Sequence, residues 1–135
     1  VASQLRSILY VEDDLHVRTT AKLVLEVIGK LDVRACRSGP EALELARTFH
    51  PDLLLLDVVL PEQDGVDLLK ALRCMPHLAQ VPALFITGAT SNDDMARYVA
   101  AGAMGVISKP LAPLTLSDQV QELWEHPPIR TQTAH

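Results

Sequence analysis

The chain has 135 residues, enough for one domain with little left over. Hydrophobic residues make up 48% and charged residues 21%, the profile of a globular protein and not of a disordered one. The net charge of −5 argues against nucleic acid as a direct partner, because neutralising phosphates needs a basic face.

The first apolar run, Ile8 to Val11, predicts strand one. Val17, Ala21, Val24 and Ile28 then recur at helical spacing and predict helix one, stopped by Gly29. Val33 to Cys36 predicts strand two, placed near a sheet edge because Arg34 puts a charge in mid-run. Ser38, with Glu41 three residues later, reads as a capping box for helix two, which carries Ala42, Leu45, Ala46 and Phe49 and is closed by Pro51. Leu53 to Leu56 predicts strand three, and Val66, Leu69 and Leu72 mark helix three, ended before Pro76. Ala83 to Ile86 predicts strand four. Ser91 and Asp94 cap helix four, which carries Met95, Tyr98 and Val99 and stops at Gly102. Met104 to Ile107 predicts strand five, and Leu116, Val120, Leu123 and Trp124 form helix five, cut off by Pro127-Pro128.

Short apolar runs alternating with amphipathic stretches imply an α/β fold of (βα)5 type. Its sheet is parallel, its crossovers are right-handed, and helices cover both faces. The domain is expected over residues 1–126, with 127–135 a polar tail that is either a linker or an end. The longest apolar runs are far too short to cross a bilayer, so no membrane partner is expected. Val1 to Ser7 holds no hydrophobic signal core, and Cys36 and Cys74 are too few and too isolated for a disulfide framework or a zinc site. The expected compartment is therefore a reducing cytoplasm. His16, His50, His77, His126 and His135 show no metal-ligand spacing and read as surface residues. Tyr98 and Trp124 read as half-buried packing residues, with a contact role the alternative for Tyr98, which falls on the output face.

In an open parallel sheet the reactive site lies beyond the carboxyl ends of the strands. The polar residues there are Glu12, Asp13 and Asp14 after strand one, Asp57 after strand three, Thr87 after strand four, and Ser108, Lys109 and Pro110 after strand five. Singly, each has an ordinary reading. The acidic triplet suits a helix start, with Asp14 a cap; Asp57 suits a turn; Lys109 suits a solvated loop whose backbone Pro110 restricts, with a cis bond one option. Together they converge on one rim. Carboxylates crowded in this way either raise a pKa or recruit a cation, and all-oxygen ligands suit Mg2+ or Mn2+ over zinc. With Lys109 opposite, the charges suit a phosphoryl group held on a carboxylate oxygen.

This constellation resembles the receiver domain of bacterial two-component response regulators. The residues that carry the resemblance are Glu12-Asp13, Asp57, Leu60-Pro61, Gly65, Thr87 and Lys109-Pro110, and it spans roughly residues 7–125. It implies a flavodoxin-like doubly wound sheet of strand order 2-1-3-4-5. It also implies a phosphoacceptor and not an enzyme in the ordinary sense, although such a domain assists its own phosphorylation and dephosphorylation. Asp57 would accept phosphate from a histidine kinase or phosphotransfer protein. Asp13, Asp57 and the backbone carbonyl of Val59 would bind Mg2+ directly, with Glu12 acting through a metal-bound water. Lys109 would pair with Asp57 at rest, and Thr87 would move to the phosphoryl group and reset the face of helix four, strand five and helix five. An output domain or protein, or a second copy of the chain, would dock on that face.

The chain departs from the family at Val106, where Tyr or Phe is usual, and at Gly88, where Ala is more frequent. Neither change touches the phosphorylation chemistry; Val106 removes the ring of the usual readout. Two other functions compete. A haloacid-dehalogenase-like phosphatase wants a second Asp two residues after the nucleophile, where this chain has Val59. A pseudo-receiver that only docks partners usually lacks one of the acidic, Asp or Lys positions, all kept here.

Overall fold

The computed structural model describes residues 4–128, so most of the polar tail expected over 127–135 lies outside the described residues. The elements alternate in chain order. They are β1 (Ser7–Val11), α1 (Leu15–Val27), β2 (Asp32–Cys36), α2 (Gly39–Ala46), β3 (Leu53–Asp57) and α3 (Gly65–Leu72). A short 3-10 turn at Pro76–Leu78 leads to β4 (Ala83–Thr87), α4 (Asn92–Ala100), β5 (Gly105–Ser108) and α5 (Pro113–Glu125). All pairings are parallel, and the order β2-β1-β3-β4-β5 agrees with expectation. β2 is an edge strand, as the charge at Arg34 suggested; that guanidinium lies 4.6 Å over the Phe49 ring.

The sheet separates two apolar layers because successive strand residues point to opposite faces. Leu9, Val11, Leu54, Leu56 and Phe85 pack under α2 and α3, with Tyr98 of α4. Ile8, Tyr10, Leu55, Ile86 and Ile107 pack under α1 and α5. β3 and β4 are buried at every position, which is why they read as unbroken apolar runs. Each Leu or Ile so buried contributes about 1.5–3 kcal/mol of hydrophobic stabilisation.

Several expectations need correction. In α1 the buried residues are Ala21, Val24 and Leu25, whereas Val17 and Ile28 are exposed. Leu25 stacks one turn beyond Ala21, and Ile28 has become the C-cap. In α2, Ser38 accepts the Glu41 amide, but the Glu41 carboxylate turns to Arg37 (Nε at 2.9 Å), so the capping box is only half formed. The helix ends at Ala46, and Phe49 is buried from the loop beyond it. His77 is not a free surface residue: its Nε2 lies 2.7 Å from the Ala46 carbonyl at the end of α2, and its ring makes a tilted contact with that of His50, centroids 4.4 Å apart. α4 carries the full capping box between Ser91 and Asp94, yet Tyr98 is its one fully buried residue and Val99 is exposed.

Candidate functional site

Strand register builds the site. Val11 pairs with Leu56, so Glu12 and Asp57 emerge side by side at the rim. Asp57 pairs with Ile86, and Thr87 pairs with Ser108, which sets Lys109 one step further out. The Lys109 amide donates to the Thr87 carbonyl at 2.9 Å, and the Lys109–Pro110 peptide bond is cis.

Asp57 is 0% exposed. Its Oδ2 accepts the Lys109 ammonium at 2.8 Å, and its Oδ1 accepts the Val59 amide at 3.0 Å. Partial burial works against the Lys109 charge, but the hydrogen bond and charge of Asp57 outweigh it and hold the ammonium pKa above the ordinary lysine value. Val59 itself is 68% exposed, and it forms an isolated bridge with Asp64, the N-cap of α3. That bridge folds the loop back, and Gly65 is required there: a Cβ at Gly65 would stand 2.2 Å from the Asp57 carbonyl oxygen.

One oxygen from each of Glu12, Asp13 and Asp57 lies within 4.8 Å of the others. Glu12 is buried, Asp13 exposed. Glu12 Oε2 accepts the Asp14 amide at 3.1 Å, while Oε1 is buried and finds no hydrogen-bond partner among the described residues. Burial pushes the Glu12 pKa up to about 7; the Asp14 amide opposes the shift and the Asp57 charge adds to it. Asp14 turns away and caps α1 through the Val17 amide at 3.0 Å. A buried carboxylate oxygen without a donor, in an all-oxygen set, fits a hard divalent cation.

One contributor escaped the sequence reading, and a second was given a different role by it. Arg18 reaches back from α1 and donates to the carbonyls of Glu12 at 2.8 Å and Asp13 at 3.3 Å, which holds the acidic loop in place. Its signal was faint, a lone Arg four residues after the Asp14 cap. Tyr98 is 0% exposed, and its hydroxyl donates to the Ala89 carbonyl at 2.9 Å and lies 3.2 Å from Thr87 Oγ1. It is neither half-buried nor on an outer face, because α4 is rotated to drive this ring under β4, 5.4 Å from Phe85. An open cleft of about 750 Å³ adjoins the cluster, lined by Val17, Thr20, Lys109, Leu111, Pro113 and Leu116 among others.

A doubly wound parallel sheet that gathers three carboxylates, a hydroxyl and an ammonium at its carboxyl rim defines a receiver-type α/β domain. The chain belongs to the response regulator receiver domain family, whose model matches residues 8–121. It is similar to the polar-differentiation response regulator DivK of Brucella abortus, 37% identical over 108 residues that span 79% of this chain and 86% of DivK. Among solved structures it is similar to the chemotaxis response regulator CheY4 of Vibrio cholerae, with a TM-score of 0.81 and 29% identity, covering 89% of this chain and 99% of that one. It is also similar to a putative response regulator from Chloroflexus aurantiacus, with a TM-score of 0.78 and 33% identity, covering 90% and 99%. The protein is thus a component of two-component signalling. No helix among the described residues is long and apolar enough to cross a membrane.

Proposed function

We propose that Asp57 is the phosphoacceptor, taking a phosphoryl group from the phosphohistidine of a histidine kinase or phosphotransfer protein. The observation that carries this reading is the Asp57 carboxylate, wholly buried at the end of the central strand yet paired with Lys109 and facing Glu12 and Asp13. An Asp57 oxygen attacks phosphorus, the P–N bond breaks, and the imidazole leaves with the electron pair. Lys109 moves from the carboxylate to the phosphoryl oxygens, and the Val59 amide keeps Asp57 oriented. Thr87, at the end of the adjacent strand, donates its hydroxyl proton to a phosphoryl oxygen.

Glu12, Asp13, Asp57 and the Val59 carbonyl are the residues that would hold Mg2+, or Mn2+ in its place. The bound ion would neutralise charge developing on the phosphoryl oxygens. The same constellation assists the later loss of phosphate to water, so the domain is a self-assisting phosphoacceptor and not an enzyme acting on an external substrate. The cleft beside Lys109 suits the approach of a donor side chain, and an output protein or a second copy of the chain would dock on the α4–β5–α5 face. Cys36 and Cys74 are both free, which accords with a reducing cytoplasm.

The test is labelling by acetyl phosphate in Mg2+, with and without the substitution Asp57→Asn. Labelling of the wild type that vanishes in the variant, with the fold kept, supports the reading. A label that persists in the variant on Asp13 or Asp14 refutes the acceptor, and no labelling of the wild type leaves a pseudo-receiver that only docks partners.

A further inference from the structure

Tyr98 has one hydroxyl proton, and it goes to the Ala89 carbonyl at 2.9 Å. The proton on the 3.2 Å line between Tyr98 and Thr87 is therefore that of Thr87. Thr87 Oγ1 in turn accepts the Ala89 amide at 2.9 Å. The three bonds close a ring, from the Ala89 N–H to Thr87, from Thr87 to Tyr98, and from Tyr98 to the Ala89 carbonyl. Thr87 is 1% exposed, so its hydroxyl has little access to water as an alternative partner. Its approach to the Ala89 carbonyl, at 3.4 Å, is the longer of its two donor options.

We propose that Tyr98 is a positioning residue that competes with the phosphoryl group for the single proton of Thr87. This rests on the reading of Asp57 as acceptor. Thr87 cannot donate to Tyr98 and to a phosphoryl oxygen together, so occupation of Asp57 opens the ring and leaves the Tyr98 oxygen without its donor. Because Tyr98 is the one fully buried residue of α4, that change is delivered to the attachment of the helix. The aromatic group missing at Val106 is thereby supplied from α4, with its hydroxyl already engaged at rest.

The probe is beryllofluoride with Mg2+, titrated into the full chain and followed by isothermal calorimetry and by the Ala89 amide signal. Tyr98→Phe keeps the ring under β4 and removes the nearer competitor, leaving Thr87 only the longer 3.4 Å approach to the Ala89 carbonyl, so it tightens beryllofluoride binding up to about fivefold, as loss of one competing hydrogen bond predicts. Thr87→Ala weakens binding, and adding Tyr98→Phe to Thr87→Ala changes it no further. A general packing role would not produce that dependence on Thr87. Unchanged or weaker binding in Tyr98→Phe, or a gain that survives in the Thr87→Ala background, overturns the inference while leaving the acceptor assignment standing. Absence of binding to the wild type, or equal binding to Asp57→Asn, overturns both.

Discussion

Arg97 on α4 pairs with Asp64, the residue that caps α3 at the end of the loop that follows Asp57. Tyr98, its neighbour, is bonded to Thr87 at the end of β4 and to Ala89 in the loop that follows, on the other side of the site. One helix thus touches both loops that flank Asp57. The Arg97–Asp64 pair is partly solvated and worth at most about 1 kcal/mol, so it registers loop position without locking it.

Phosphorylation is therefore expected to shift α4 and residues 88–91 more than β5. Val106 is β-branched and partly buried against the cluster that holds Tyr98, with no alternative rotamer of comparable reach. Chemical shifts and hydrogen exchange with beryllofluoride check this. Large changes centred on Val106 with α4 silent would contradict it.

Glu12 supplies a pH dependence in divalent-free solution. Its pKa is about 7 in the folded chain against an ordinary 4.5, so between those values the folded state holds more protons than the unfolded one. The Glu12 contribution to stability is therefore present at low pH and lost as pH rises from 4.5 through 7. Glu12→Gln removes that slope and gains about 2 kcal/mol over the wild type at pH 8, less at pH 5. Denaturant unfolding of both proteins in EDTA gives the comparison, and parallel pH profiles would rule out Glu12 as the titrating group. Added Mg2+ is expected to recover stability in the wild type at pH 8.

Gly65→Ala is expected to cost about 2–3 kcal/mol, because its Cβ meets backbone and not a flexible side chain. The contacts are 2.2 Å to the Asp57 carbonyl oxygen and 2.9 Å to Val58 Cα. Relief of that clash displaces Asp57, so acetyl phosphate labelling slows as well. Gly88→Ala is the control: its nearest neighbour would be Lys109 Cβ at 4.0 Å, and it should be near neutral in both assays. Equal behaviour of the two variants would show that the close approach at Gly65 is relieved without cost.

The lifetime of the phosphorylated state depends on water approaching in line, opposite the Asp57 oxygen. The side chains two after Asp57 and two after Thr87 are Val59 and Ala89, both exposed and unable to orient a water. Hydrolysis is expected to be slow. Val59→Asn with Ala89→Glu should speed phosphate release about tenfold, or roughly 1.4 kcal/mol of barrier. Phosphate release from the purified phosphorylated chain in excess Mg2+ measures it, and an unchanged rate means that water access here does not set the lifetime.

The parallel sheet and the residues of the acidic rim were legible in the sequence pattern, whereas the strand order followed only from the family resemblance. Buried strands need unbroken apolar runs, and each run ended in a polar residue whose place follows from the strand that carries it. Ser38, Ser91 and Asp14 signalled helix starts because a cap acts within three residues of its own position. Helix rotation was not legible in the same way. The amphipathic stripe of α1 admits Val17 or Leu25 as a core residue, and only packing on the sheet buries Leu25 and leaves Val17 at the cleft. Rotation of α4 likewise turned an expected surface contact at Tyr98 into a hydrogen-bond partner of Thr87, eleven residues away in sequence. The sequence by itself determined which groups reach the rim, because strand register carries them there. Only the tertiary structure decided which hydroxyl faces Thr87, which guanidinium grips the acidic loop, and which Glu12 oxygen is left without a donor. Those depend on how helices sit on a sheet, a property of side-chain packing between distant segments that no local pattern encodes.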